Sequence, residues 1–373
     1  MVNTLIITKM KFISEYRDAE LGKKLIARIQ QKSTKPARLM EFCGGHTVSI
    51  AKHGIRQLLP PTITMLSGPG CPVCVTASAD LDKAIALAKL PGVIITTFGD
   101  MIKVPASRSS LQQVKAEGGD IRIVYSTLDA LKIAQSNPSK SVVFIGVGFE
   151  TTAPTIAASV LQAEQQGIDN YYVLSLHKLC PPVVKALLDS GEVKLDGIVC
   201  PGHVSAIIGS HPYEFIPRDY GIACVISGFE PLDILQCVDM LVDQIESGQP
   251  KVEIAYRRGV KPEGNKIALE LMDKVFEVCE GNWRGIGVVP GSGLRLRKEY
   301  QRYDAEHNFE IRPGEPIEPK GCICGDILRA VKTPLECKLF RKVCNPEHPV
   351  GPCMVSSEGS CAAYYQYGEG YGG

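Results

Sequence analysis

The chain has 373 residues, more than one core usually serves, so two or three domains are expected. Its 41 Lys and Arg balance 40 Asp and Glu, leaving no charge excess that would draw it to nucleic acid or an anionic membrane surface. No apolar run approaches the roughly 18 residues of a membrane span, and Met1-Val2-Asn3-Thr4-Leu5-Ile6-Ile7 lacks the marks of a signal peptide, so a cytoplasmic protein is expected and its fourteen cysteines need an explanation other than disulfide stapling.

Residues 10–32, with Phe12, Tyr16, Leu21, Leu25, Ile26 and Ile29 among charges, carry helical periodicity and form an N-terminal helical segment over 1–36. From Ala37 short apolar runs alternate with helical ones, the pattern of a parallel sheet covered by helices. Strands are predicted over 38–42, 62–66, 93–97 and 121–125, with helices beginning near His46, Pro72 or Ser78, and Ser107. A second set of strands follows over 141–147, 171–176, 197–200 and 223–226, separated by helical stretches such as 155–166 and 182–188. The two sets resemble each other: Phe42 to Thr47 matches Gly146 to Thr152, and Leu66-Ser67 before Cys71-Pro72 matches Leu174-Ser175 before Cys180-Pro181. Two tandem four-stranded α/β units are therefore expected, over 37–138 and 139–248, with their boundary near Asn137 to Lys140. Beyond Gln249 the pattern predicts a strand over 252–256, a helix over 265–280 and a glycine-rich connection over 281–293 that holds the only tryptophan, Trp283. After Gly321 the chain is dense in Cys, Pro and Gly with little periodicity, and a bound metal cluster is an economical way to order such a segment, giving a third domain over 249–373. The Tyr- and Gly-rich tail from Tyr364 to Gly373 is expected to be mobile beyond Gln366.

In an open parallel sheet, ligands bind where the βα turns gather at the carboxyl ends of the strands. Cys43, His46, Cys71, Cys74, Glu150 and His203 all fall at such turns, so one cleft between the units is expected to collect them. The run Leu66-Ser67-Gly68-Pro69-Gly70-Cys71-Pro72-Val73-Cys74 reads as a strand entering a glycine-proline turn. Pro72 at the first helical position makes Cys71 an N-cap and puts Cys74 in the first turn, where the helix dipole favours thiolate. Cys43-x-x-His46 with Cys71-x-x-Cys74 is also the ligand set of a structural zinc site, although a redox dithiol beside a separate metal-binding thiolate at Cys43 fits the turn positions better. His46 reads as a ligand, a proton donor or a capping residue. Glu150 reads equally as a partner for a helix dipole, and the Pro201-Gly202-His203 turn is a weak signal alone. Cys180, Cys200, Cys224, Cys237 and Cys279 stand singly in apolar surroundings and read as inert buried thiols. Of the remaining six, Cys324, Cys337, Cys344 and Cys361 supply the four thiolates a 4Fe-4S cluster requires, leaving Cys322 and Cys353 as an adjacent pair. Spacing alone does not choose four ligands among six, and zinc sites remain an alternative.

Five motifs in this order carry a resemblance: Cys43-Gly44-Gly45-His46-Thr47; Gly68-Pro69-Gly70-Cys71-Pro72-Val73-Cys74; Gly148-Phe149-Glu150-Thr151-Thr152; Pro201-Gly202-His203-Val204-Ser205; and Cys353-Met354-Val355-Ser356-Ser357-Glu358-Gly359 leading to Cys361. Together they resemble the HypD family, maturation proteins of NiFe-hydrogenases, over nearly the whole chain from Arg38 to Tyr367. The resemblance implies two Rossmann-like parallel-sheet domains plus a C-terminal cysteine-rich iron-sulfur domain. It also implies a scaffold on which iron receives cyanide and carbonyl ligands, working with a HypC-like small chaperone and a HypE-like cyanide donor and monomeric when alone. On it, Cys43 would be the iron-holding thiolate with His46 nearby, and Cys71 and Cys74 the thiol pair. Cys324, Cys337, Cys344 and Cys361 would hold the cluster, and Cys322 and Cys353 would be redox-active neighbours of it. The rival expectation is a free-standing iron-sulfur thiol-disulfide oxidoreductase.

Overall fold

The computed structural model describes residues 14–368. Phe12 and the rest of the expected helix before Ser14, like the tail after Gly368, lie outside the described residues; the described helix runs Ala19–Lys32.

Two parallel sheets organise the chain. The first holds β1 (Ala37–Glu41), β2 (Ile63–Ser67), β7 (Gly197–Pro201), β8 (Ala223–Ser227) and β9 (Val252–Ile254) in the order β2-β1-β7-β8-β9. The second holds β3 (Val93–Thr97), β4 (Asp120–Ile123), β5 (Ser141–Gly146) and β6 (Tyr171–Ser175) in the order β4-β3-β5-β6. Every pairing in both is parallel. The α/β class expected from the alternating pattern holds, but the tandem assignment of strands is corrected. β1 pairs with β7, Met40 beside Ile198, and β3 pairs with β5, Ile95 beside Val143, so both sheets span the expected boundary near Asn137 to Lys140. The internal similarity of the two halves reports like turns and helices; it carries no information on which strand lies beside which.

The chain thus crosses between the sheets twice, after β2 and after β6. The first crossing carries Cys71, Cys74 and the helix Ser78–Ala88, and the second carries the helix Cys180–Ser190. Strands β3 and β8 are buried along their whole length and β5 nearly so, as expected where a parallel sheet is covered on both faces. One face of each sheet looks into a shared core: Met40, Ile198, Cys200, Cys224 and Ile226 come from the first, and Ile95, Val143, Ile145 and Leu174 from the second. The two crossing helices add Leu81, Leu87, Val183 and Val184 to it. The far face of the first sheet is covered by the helix Pro231–Ser247 and by Ile29 of the N-terminal helix. That of the second sheet is covered by the helix Ala153–Gln166 and by residues Phe276, Leu294 and Leu296.

Those last three residues belong to an antiparallel hairpin, β10 (Phe276–Trp283) and β11 (Gly287–Leu296), where a helix end and a glycine-rich connection were expected. The helix Lys266–Val275 stops where the pattern changes from helical spacing to the alternation Phe276-Glu277-Val278-Cys279-Glu280. The glycines there bring strands close rather than form a loop: a Cβ on Gly281 would stand 2.5 Å from Ser292 Oγ. Trp283 is buried, its Nε1 donating to Ser292 Oγ at 2.7 Å, and single bridges Thr76–Trp283 and Lys178–Gly293 tie the hairpin to both crossing segments. After Gly321 the chain forms only short helices, but Cys324, Ile327, Leu328, Phe340, Cys353 and Met354 enter the same shared core. No helix among the described residues is long and apolar enough to cross a membrane.

Candidate functional site

Cys43 leaves the end of β1 and caps the helix Gly44–Lys52. Its N–H donates to Glu41 Oε2 at 2.9 Å, and the Thr47 hydroxyl donates to Glu41 Oε1. Glu41 is fully buried, and desolvation, only partly offset by these donors, raises its carboxyl to about 7. A helix N-terminus favours a thiolate, but at Cys43 the opposing effects win: burial, then the charge of Glu358, then that of Glu41 push the thiol up to about 12. The thiol is therefore protonated near neutral pH, and any group that takes Cys43 as a ligand has to displace that proton.

The Cys71–Cys74 turn interlocks with this one. Cys71 caps the helix Pro72–Val75, with Pro72 at the first position and Cys74 in the first turn, as the sequence predicts; a disulfide joins the two cysteines. Gly68 N donates to Glu41 O at 2.8 Å and Gly44 N to Gly70 O at 3.0 Å. A Cβ on Gly70 would stand 2.3 Å from Cys43 N and 2.4 Å from its Cα, so only glycine lets these backbones meet. Cys71 is 3% exposed and Cys74 0%, whereas Cys43 is half-buried.

Beside Cys43 sits an aromatic stack. His46 is buried, and its Nε2 donates to Gly228 O at 3.0 Å; because a carbonyl only accepts, the proton is on Nε2 and Nδ1 carries a lone pair that has no partner among the described residues. Burial lowers His46 to about 4, which keeps the ring neutral near pH 7. Both His46 and the exposed His203 stack on Phe229, at 4.7 Å and 3.8 Å between centroids. A Cβ on Gly45 would stand 2.9 Å from the Phe229 ring and 3.8 Å from Cys43 Sγ, which puts that ring against the cysteine turn.

Glu150 is buried where the second sheet faces the shared core. Oε1 accepts from Cys180 N at 2.9 Å, Oε2 has no partner among the described residues, and burial raises the carboxyl to about 7. Cys180, expected to be an inert thiol, lies within electrostatic reach of Glu150 and Cys43; burial, then those two charges, hold its thiol well above the usual range.

The C-terminal segment closes the arrangement. A Cβ on Gly44 would stand 2.4 Å from Glu358 Cβ, and Cys74 Sγ lies 3.9 Å from the Pro352 carbonyl oxygen, one residue before Cys353. Cys322, Cys324, Cys337, Cys344, Cys353 and Cys361 all line one small apolar cavity with Ile327, Leu339, Phe340 and Met354. The sulfurs of Cys324 and Cys353 are 2.6 Å apart, which places Cys353 against a member of the expected ligand set, and a Cβ on Gly351 would stand 2.7 Å from Cys322 Sγ. Among the described residues no three or more His, Cys, Asp or Glu converge as they would on a single metal ion.

The structure therefore brings together Cys43, His46, His203, Cys71 and Cys74, and sets Pro352, the residue before Cys353, against the dithiol turn. Sequence reasoning missed Glu41, Phe229 and Cys180. Glu41 was detectable as the acidic residue that ends the strand after the apolar pair Leu39-Met40, and Cys180 by its match to Cys71 in the repeat; nothing in a single sequence marks Phe229.

The family model HypD, described as "Hydrogenase formation hypA family", matches residues 20–368. The chain is 47% identical over 369 residues to the hydrogenase maturation factor HypD of Cupriavidus necator, covering 96% of this chain and 97% of that protein. It is 47% identical over 368 residues to that of Azotobacter vinelandii, with the same coverage, and 44% identical over 366 residues to that of Escherichia coli, covering 96% and 98%. With residues 20–368 matched by the family model and these relatives aligned over 96% of its length, the chain belongs to the HypD family.

Proposed function

We propose that this chain is a hydrogenase maturation scaffold that holds an iron ion on Cys43 while cyanide and carbonyl ligands are added. The observation that carries this reading is the contact sequence: six cysteines around one cavity, Cys353 beside Pro352, Pro352 against Cys74, and the Cys71–Cys74 turn interlocked with Cys43 through Gly70. Iron is the cargo. Its capture exchanges the Cys43 proton for Fe²⁺, and thiolate suits low-spin iron with strong-field ligands. The half-buried Cys43 leaves a side open for incoming diatomics and for a second thiolate from a HypC-like partner, while the neutral His46 and the exposed His203 flank the approach.

Releasing cyanide from a sulfur-bound donor of the HypE kind needs two electrons. The Cys71–Cys74 pair stores two, its disulfide taking up two electrons and two protons to give two thiols. The four thiols Cys324, Cys337, Cys344 and Cys361 fit a 4Fe-4S cluster, which when bound would supply electrons singly. Cys353 touches Cys324 of that set and follows Pro352, which meets Cys74. Burial of both Cys71 and Cys74 favours this internal relay over a free-standing oxidoreductase, whose dithiol has to meet protein substrates. To test the reading, Cys43→Ala is purified with its partner chaperone and examined by infrared spectroscopy; the bands of bound cyanide and carbonyl are expected to vanish. Bands at full intensity would remove Cys43 as the iron ligand.

A further inference from the structure

Arg284 is assigned no role by the reading above, yet it is only 3% exposed at the tip of the β10–β11 hairpin. Its backbone N–H donates to Val75 O at 2.8 Å and its Nε to Thr76 O at 3.1 Å, the carbonyls at the end of the Cys71–Cys74 helix. Nη1 donates to Ser78 Oγ at 2.9 Å and to Glu318 Oε2 at 2.5 Å. Nη2 is buried and has no partner among the described residues.

The chain beside Arg284 reaches toward the cysteine cavity. The next residue, Gly285, packs on Gly325: a Cβ on Gly285 would stand 2.3 Å from Gly325 Cα, and Gly325 directly follows Cys324. The charges of Arg284 and Glu318 both reach Cys324, with opposite signs. A guanidinium keeps its charge inside proteins. One buried cation therefore grips the dithiol turn by its last carbonyls, while the residue after it packs against the neighbour of Cys324.

We propose that Arg284 is a positioning residue for electron delivery, fixing the Cys71–Cys74 turn beside the six-cysteine cavity and favouring, by its buried charge, the more negative reduced state of the group held there. The proposal rests on the reading that the cavity holds an iron-sulfur cluster. Each electron entering such a group adds one negative charge, and nearby positive charge and hydrogen-bond donors raise its potential. Two electrons from a low-potential one-electron donor, with two protons from solvent, then convert the Cys71–Cys74 disulfide into two thiols.

The test uses the full chain supplied with iron and sulfide under anaerobic conditions. Two readouts are followed: the reduced-to-oxidised cluster ratio at fixed ambient potential by electron paramagnetic resonance, and the rate at which dithionite-reduced protein opens the Cys71–Cys74 disulfide, by alkylation and mass spectrometry. Arg284→Met is expected to lower the ratio roughly tenfold, equivalent to about 59 mV for a one-electron couple. Arg284→Lys, which keeps the charge but not the fork, shifts the ratio less and still slows disulfide opening severalfold. Glu318→Gln removes the exposed neutralising partner, whose side chain is 60% exposed, and is expected to raise the ratio even if the Arg284 variants fold poorly. Ratios unchanged in both Arg284→Met and Glu318→Gln would overturn the proposal while leaving the cluster reading intact. A chain that takes up no cluster would overturn both.

Discussion

Gly70 is where two functional turns become one, because its missing side chain is occupied by the Cys43 backbone. In Gly70→Ala the new Cβ would meet Cys43 N and Cα at 2.3 and 2.4 Å, and neither atom belongs to a flexible side chain. One turn has to move, at a stability cost of roughly 1–3 kcal/mol. The displacement should separate Cys43 from the dithiol, so the infrared bands of assembled iron should weaken far more than that modest loss of stability implies; urea unfolding with infrared spectra on the same sample checks both. Glu150 permits a prediction of sign. Its carboxyl titrates near 7 when folded, above its ordinary 4.5, so between those values the native chain binds more protons than the unfolded one and stability falls as pH rises. Glu150→Gln has no proton to lose there. Between pH 5 and pH 7 the wild type should lose on the order of 2–3 kcal/mol relative to the variant, at about 1.4 kcal/mol per unit. Parallel pH profiles from urea unfolding would show that Glu150 is ionised in the fold.

At the level of elements, the C-terminal segment makes the most testable assignment. Cys324→Ser, Cys337→Ser, Cys344→Ser and Cys361→Ser should each abolish the brown iron-sulfur absorption, whereas Cys322→Ser and Cys353→Ser should retain iron and lose electron transfer to Cys71 and Cys74. Iron analysis decides it, and retention in Cys324→Ser with loss in Cys353→Ser would exchange the roles of those two touching sulfurs. The dithiol turn was legible because its features are local: a strand, a glycine-proline turn, and a proline that fixes where a short helix starts. The strands were legible for the same reason, being buried apolar runs of the right length between helical stretches. The hairpin was not, since glycines that allow close strand approach, as at Gly281 and Gly293, read in sequence like those of a loop. Nor was the protonation of the site: the helix that starts after Cys43 would by itself favour a thiolate, and only the folded surroundings, burial with Glu358 and Glu41 close by, reverse that sign. His46 could be marked by its spacing from Cys43, but its tautomer depends on Gly228, 182 residues away.

On the scale of the whole molecule, two crossings between sheets join what a tandem reading would separate. Strand β1 depends on β7 and strand β3 on β5, and each of these pairs spans residues 137–140. The shared core is built from both sheets, both crossing helices and the C-terminal cysteines, so neither half holds a complete core. A fragment of residues 1–138 would leave Leu39 and Met40 without β7, and Ile94 and Ile95 without β5, all four of them buried in the intact chain. Exposing each such side chain forfeits about 1.5–3 kcal/mol. Four of them already match most of the roughly 5–15 kcal/mol by which domains are stable. The fragment should therefore show no cooperative urea transition and a collapsed, broad proton NMR spectrum, whereas the full chain unfolds with the disulfide turn and the cysteine cavity in one step. A sharp, reversible transition in the isolated fragment would mean that β1 to β4 contain a self-sufficient core, and that the sheet exchange is an addition to a tandem fold instead of its foundation.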